Sequence, residues 1–114
     1  MKIKRGEIFL TRLTQKDPGV TKTRPVLVVS NDISNQHSGT VTVIPITARN
    51  FSSVYPFEVL LPKGAGNLSK DSKVKTDQIR TLDRSKIIKH IGTVEDSIMK
   101  AVEAALKIHL SLSS

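Results

Sequence analysis

The sequence predicts a small, mainly β domain: a strongly bent sheet or barrel followed by one C-terminal helix. Three observations carry that reading. Short apolar stretches, alternating with period two or running through β-branched residues, recur along most of the chain. Glycine, proline and small polar residues punctuate them at turn positions. Only the last stretch repeats its apolar residues at helical spacing. With roughly five to seven short strands, closure into a barrel also removes exposed sheet edges.

The elements follow in order. Residues 6–13, GEIFLTRL, set Ile8 and Leu10 against Phe9 and Thr11 and read as a first strand. Residues 14–23 hold Asp17-Pro18-Gly19, where Pro presets one turn angle and Gly permits a positive one, so a turn or long loop is expected. RPVLVVS, 24–30, is a continuous β-branched run, the pattern of a strand buried on both faces, and Pro25 favours an extended Arg24. Asn31 or Asp32 can cap a short helical turn in 31–39. TVTVIPIT, 40–47, is a third strand with a bulge or edge at Pro45, and 54–62 a fourth. After a glycine-containing loop at 63–72 come a half-buried strand over 72–79, a turn over 80–87 and a last strand over 87–94. Thr93 and Asp96 resemble a capping box, and Ile98, Val102, Ala105, Leu106 and His109 fall on one helical face beyond it. Met99, Ile108 and Leu110 widen that apolar surface, where two copies of the chain can meet.

Composition narrows the function. A chain of 114 residues suits a single domain spanning 1–114. It has no cysteine, hence no disulfide framework, thiol nucleophile or thiolate metal site. The basic N-terminus has too short and interrupted an apolar part for a signal peptide, and no run approaches a membrane span, so a cytoplasmic location is expected. Eighteen Lys and Arg against ten Asp and Glu give a net charge of +8, which favours a polyanionic partner.

The chemistry is defined first by what is missing. His37, His90 and His109 are far apart in sequence, the carboxylates are scattered singly, and no Gly-rich phosphate loop or nucleophile elbow occurs. Neither a bound metal nor a cofactor is expected. What remains is a set of strand ends: Arg24 opens the second strand, Thr47 closes the third, and Gln78 and Arg80 end the run KTDQIR. An arginine fork matches phosphate oxygens, a threonine hydroxyl can donate to the same oxygens, and glutamine offers donor and acceptor. Taken singly, each also has an ordinary role: surface ion pair, strand-end residue, turn hydrogen bonder.

Four segments, RGEIFL, KTRPVLVVSND, TVTVIPIT and DQIRTLDRSKI, occur in an order and spacing that resemble the MazF/PemK family of bacterial toxins. The resemblance runs from Arg5 to the C-terminal helix. It implies an SH3-like barrel of the PemK/CcdB kind, a homodimer, and a metal-independent endoribonuclease that cuts single-stranded RNA at short sequences and arrests growth. It also implies a cognate acidic antitoxin (MazE-like) that blocks the RNA site, with DNA binding by the complex. By position, Arg24 and Thr47 correspond to the family's catalytic pair, and Gln78, Ser72, Asn31 and Arg80 to RNA-contacting positions. The implied reaction is attack of a 2′-hydroxyl on its own phosphate, giving 2′,3′-cyclic phosphate and 5′-hydroxyl ends. A guanidinium with a pKa above about 12 suits stabilising phosphate charge better than moving protons. Glu7 stands where Asp is common, and loop 14–23 has no aromatic residue to stack on a base. Among the aromatics Phe9, Phe51, Tyr55 and Phe57, alternation assigns Phe9 and Phe57 to the core, leaving little for stacking. A gyrase-inhibiting toxin of the same fold and a non-catalytic nucleic-acid-binding barrel are the alternative readings.

Overall fold

The computed structural model describes residues 1–14, 21–49 and 54–113. Strands β1 (Glu7–Thr14), β2 (Thr21–Val28) and β3 (Thr40–Thr47) form an antiparallel meander, interrupted after β2 by helix α1 (Asp32–His37). Then come β4 (Glu58–Leu61), β5 (Ser72–Lys75), β6 (Arg80–Asp83), β7 (Ile87–Thr93) and helix α2 (Asp96–His109). The hydrogen-bonded order is β4-β5-β3-β2-β1-β7, with β6 also on β3.

β3 is where the sheet bends. One edge pairs with β2, from Val26↔Pro45 to Val28↔Val43. The other pairs first with β6 over Thr40–Val43 and then with β5 at Ile46 and Thr47. Pro45 lies at the changeover, where a residue without an amide proton suits a break in the ladder. The partners change because a 3-10 turn, Thr76–Gln78, separates β5 from β6.

Burial follows the pleat. Val26 and Val28 enter one core with Phe9, Leu13, Val41, Val43 and Leu82, inside the curl β7-β1-β2-β3-β6. Leu27 and Val29 enter a second, with Ile44, Ile46, Leu61 and Val74, beneath Met99 and Val102 of α2. The β-branched run is therefore buried on both faces, as its continuity implies.

Several expectations need correction. The curl does not close: β6 and β7 are joined by the 3-10 turn Arg84–Lys86, not by a ladder, so the mainly β class stands with an open strand order. Thr21–Thr23, expected in a loop, belong to β2, whose register with β1 continues to Thr14↔Thr21. The Asp17-Pro18-Gly19 turn and Phe51 lie outside the described residues. Residues 80–83, read as a turn, are strand β6, because the partner that satisfies their backbone is forty residues away in sequence. The strands expected over 54–62 and 72–79 shorten to β4 and β5.

The helix also departs from expectation. Thr93 is the last residue of β7, and Glu95 takes the N-cap position with no side-chain cap bond, so the Thr93–Asp96 box does not form. Its buried residues are Met99, Val102 and Ala105, while His109 is exposed. Asn31 does cap α1, accepting from the Ser34 amide at 2.9 Å.

Candidate functional site

The site grows out of the register. In the β2–β3 ladder the residues opposite one another keep a fixed pairing, Leu27↔Ile44 and Val26↔Pro45. Continued by two residues, that pairing sets Arg24 opposite Thr47, and opposed residues of an antiparallel pair project from the same face. Thr47 is itself paired with Lys73 of β5, and Lys75 lies two residues on, opposite Glu58 of β4. One face of β2-β3-β5-β4 thus carries Arg24, Thr47, Lys73, Lys75 and Glu58. The other face carries Leu27, Ile46, Val74 and Leu61, packed in the core under α2.

Arg24, Thr47, Lys73 and Lys75 line a cleft made of two adjoining hollows. The larger, about 550 Å³, is lined by Arg24, Thr47, Arg49, Lys70 and Ser72, with Ile46 and Leu68 of the core also reaching its wall. The smaller, about 280 Å³, holds Arg24, Thr47, Arg49, Lys73, Lys75 and Gln78. Arg24, Thr47 and Arg49 belong to both and form the shared ridge.

The two central residues are fixed through their neighbours. The Thr11 hydroxyl, wholly buried, donates to the Arg24 carbonyl at 3.1 Å and ties the backbone of β2 to β1. Among the described residues nothing pairs with the Arg24 guanidinium. The Thr47 hydroxyl oxygen accepts the Arg49 amide at 3.1 Å. An oxygen held by a lone pair retains its proton for a second partner.

Below the smaller hollow lies an ion pair. The Lys73 ammonium sits 3.1 Å from a Glu58 oxygen, and the residues are 3% and 6% exposed. The same oxygen accepts the Tyr55 amide at 3.0 Å. Burial pushes the Glu58 carboxyl up, but the Tyr55 amide and the Lys73 ammonium outweigh it and hold the group below the ordinary carboxylate range.

The structure brings together Arg24, Thr47, Ser72 and Gln78 of the residues singled out from sequence. Ser72 is buried and donates to the Lys70 carbonyl at 2.9 Å. Asn31 lines a different groove with Arg5, Glu103 and Leu106, its side-chain oxygen engaged as the α1 cap. Arg80 is exposed at the start of β6 opposite Val43, away from the residues that line the cleft. Sequence reasoning missed Arg49, Lys70, Lys73 and Lys75 as cleft residues, and Thr11 as the anchor. The period-two spacing of Lys73 with Lys75 was the available signal, since both lie on one face of β5, whereas Arg49 lies in the turn beyond β3 and had none.

An arginine fork and a threonine hydroxyl side by side, ringed by further cations, suit an anionic ester with several phosphates. Comparison with known proteins adds an independent observation. Endoribonuclease MazF9 of Mycobacterium tuberculosis is 36% identical over 121 residues, an alignment covering 98% of this chain and 99% of that protein. The structure of the Mycobacterium tuberculosis toxin MazF-mt6 matches with a TM-score of 0.81 at 26% identity, covering 95% of this chain and 99% of that one. A MazE–MazF crystal structure from Deinococcus radiodurans matches with a TM-score of 0.81 at 28% identity, covering 99% of each chain. The family model for the PemK-like, MazF-like toxin of type II toxin–antitoxin systems matches residues 4–110, nearly the whole length over which the strand-end pattern was read. With its fold, its cleft and its sequence in agreement over that length, the chain belongs to the PemK-like, MazF-like toxin family.

Proposed function

We propose that this chain is the toxin of a toxin–antitoxin pair, an endoribonuclease that cuts single-stranded RNA in the cytoplasm without a metal ion. The observation that carries the proposal is the placement of Arg24 and Thr47 on one ridge of a cationic cleft. Family membership supports it, as does the 36% identity to endoribonuclease MazF9.

The RNA runs through the cleft with its scissile phosphate against the Arg24 guanidinium. The 2′-hydroxyl of the preceding ribose attacks the phosphorus, and the bond to the 5′-oxygen breaks in line. Solvent water takes the 2′-proton and supplies one to the leaving 5′-oxygen, so the step is balanced. The products are a 2′,3′-cyclic phosphate and a 5′-hydroxyl. An intramolecular nucleophile needs alignment more than activation, and alignment alone supplies roughly 7 kcal/mol or more. Arg24 and the Thr47 hydroxyl donate to the non-bridging oxygens, where charge builds in the transition state. Gln78 and Ser72 contact the flanking nucleotides, and Arg49, Lys70 and Lys75 hold neighbouring phosphates.

The antitoxin is acidic where it enters this cleft, because it replaces the same phosphates. The exposed Ile108 in the last turn of α2, with Leu110 and Leu112 just beyond it, supports pairing of two copies, whereas Met99, expected to join that surface, is buried in the core.

The test is incubation of the purified protein with single-stranded RNA in excess EDTA, followed by mapping of the ends. Discrete cuts ending in cyclic phosphate are expected. Intact RNA overturns the nuclease reading and favours a same-fold toxin with another target.

A further inference from the structure

Sequence alternation assigns Phe57 to the core and leaves Tyr55 without a role, but the structure places both at the surface. Phe57 is half-buried and Tyr55 is 58% exposed. Their rings are parallel within 2°, with centroids 5.5 Å apart, an offset stack. His109 backs Phe57 with its ring centroid 6.2 Å away. An exposed aromatic ring already stacked on a second ring suits another planar π system.

The rings line neither hollow, but their backbone is tied to cleft residues by hydrogen bonds. The Tyr55 amide and the Lys73 ammonium both donate to one Glu58 oxygen, which sets them within about 6 Å of each other. The Phe57 carbonyl accepts the Thr76 hydroxyl at 2.5 Å and the Thr76 amide at 3.1 Å. Thr76 opens the turn that presents Gln78 to the smaller hollow. The aromatic step is therefore mounted on the residues that position Lys73 and Gln78.

We propose that Tyr55, stacked on Phe57, is a nucleobase-binding step at the rim of the cleft, receiving a base that neighbours the scissile phosphate. The proposal rests on the RNA-cleaving reading and adds a subsite to it. The cations bind phosphates and leave the bases unbound, and the aromatic pair supplies the π surface for one of them. Any base has a π face, so the step fixes where a base sits, while neighbouring polar groups such as Gln78 read its edge.

Tyr55 is the only tyrosine of the chain, so labelling with 3-fluorotyrosine gives one fluorine resonance. The probe is a single-stranded RNA spanning a mapped cut, with a 2′-O-methyl group on the attacking nucleotide so that it binds without being cleaved. Binding is expected to move the Tyr55 resonance through the ring current of the stacked base. Tyr55→Ala is expected to weaken binding by roughly 5- to 150-fold, the range for losing one base–aromatic stack. That loss appears in KM on the cleavable RNA, with kcat little changed, and Tyr55→Phe restores the affinity. The amide bond to Glu58 is made by the backbone, so it survives these substitutions. If the RNA binds and is cut but the resonance stays fixed and Tyr55→Ala binds as wild type, the step is overturned and the nuclease reading stands. If the wild-type protein neither binds nor cuts RNA, both fall.

Discussion

Arg24 is held firmly at its backbone, where Thr11 grips its carbonyl, and is unpaired at its guanidinium among the described residues. That combination suits a group whose partner arrives with the substrate. Thr47 has the same design on a smaller scale, its oxygen held by the Arg49 amide and its proton available. Thr47→Ala is expected to lower the single-turnover rate by about 100-fold, as for loss of one transition-state donor. Thr47→Ser keeps the hydroxyl and should retain most of the activity, measured on the same RNA. Glu58 makes a different prediction. Its folded-state pKa is depressed below 4.5, so its contribution to stability is complete above that value and is lost as pH falls through the folded-state pKa. Thermal unfolding followed between about pH 3 and 7 should show that acid loss, and Glu58→Gln should flatten it. Arg24, Thr47 and Gln78 were singled out in the sequence as strand ends, but only Thr47 is one: Arg24 lies inside β2, which starts at Thr21, and Gln78 in the 3-10 turn after β5. Thr11 was not singled out, because a buried hydroxyl that anchors a carbonyl looks like any strand threonine.

Among the elements, β3 and α2 show what one sequence can and cannot reveal. TVTVIPIT is strand over the whole predicted span, since its pattern and its pairing agree. Residues 80–83 pattern poorly and become strand only because β3 offers them a long-range edge, a tertiary effect that no local window contains. The helix was legible from its spacing, but its start was displaced. Thr93 completes the β7 ladder with Glu7, so it is not available as a cap, and Glu95 occupies the N-cap with extended backbone and no cap bond. Glu95→Ser is therefore expected to stabilise the protein by about 1 kcal/mol, read as a higher thermal midpoint. An unchanged or lower midpoint would show that the first turn of α2 is satisfied in another way.

For the whole molecule, the net charge of +8 predicted a polyanionic partner but not where it binds. The fold gathers Arg24, Arg49, Lys70 and Lys75 from three separated segments around one cleft. Their proximity depends on the pairing of β2, β3 and β5, so it could not be read from their positions in the chain. If these four cations each neutralise one phosphate, the affinity for non-cleavable RNA should fall with salt at a log–log slope of about −3. Lys70→Gln should bring that slope nearer zero by about 0.7, whereas a slope close to zero in the wild type would contradict an electrostatic cleft. The central claim is that Arg24 clamps the phosphate that is cut. Its most direct test compares Arg24→Ala with wild type in single-turnover cleavage and in binding of the 2′-O-methyl RNA. The account predicts that cleavage falls at least about 1,000-fold while affinity weakens about tenfold or less. Comparable cleavage rates for the two proteins would contradict it.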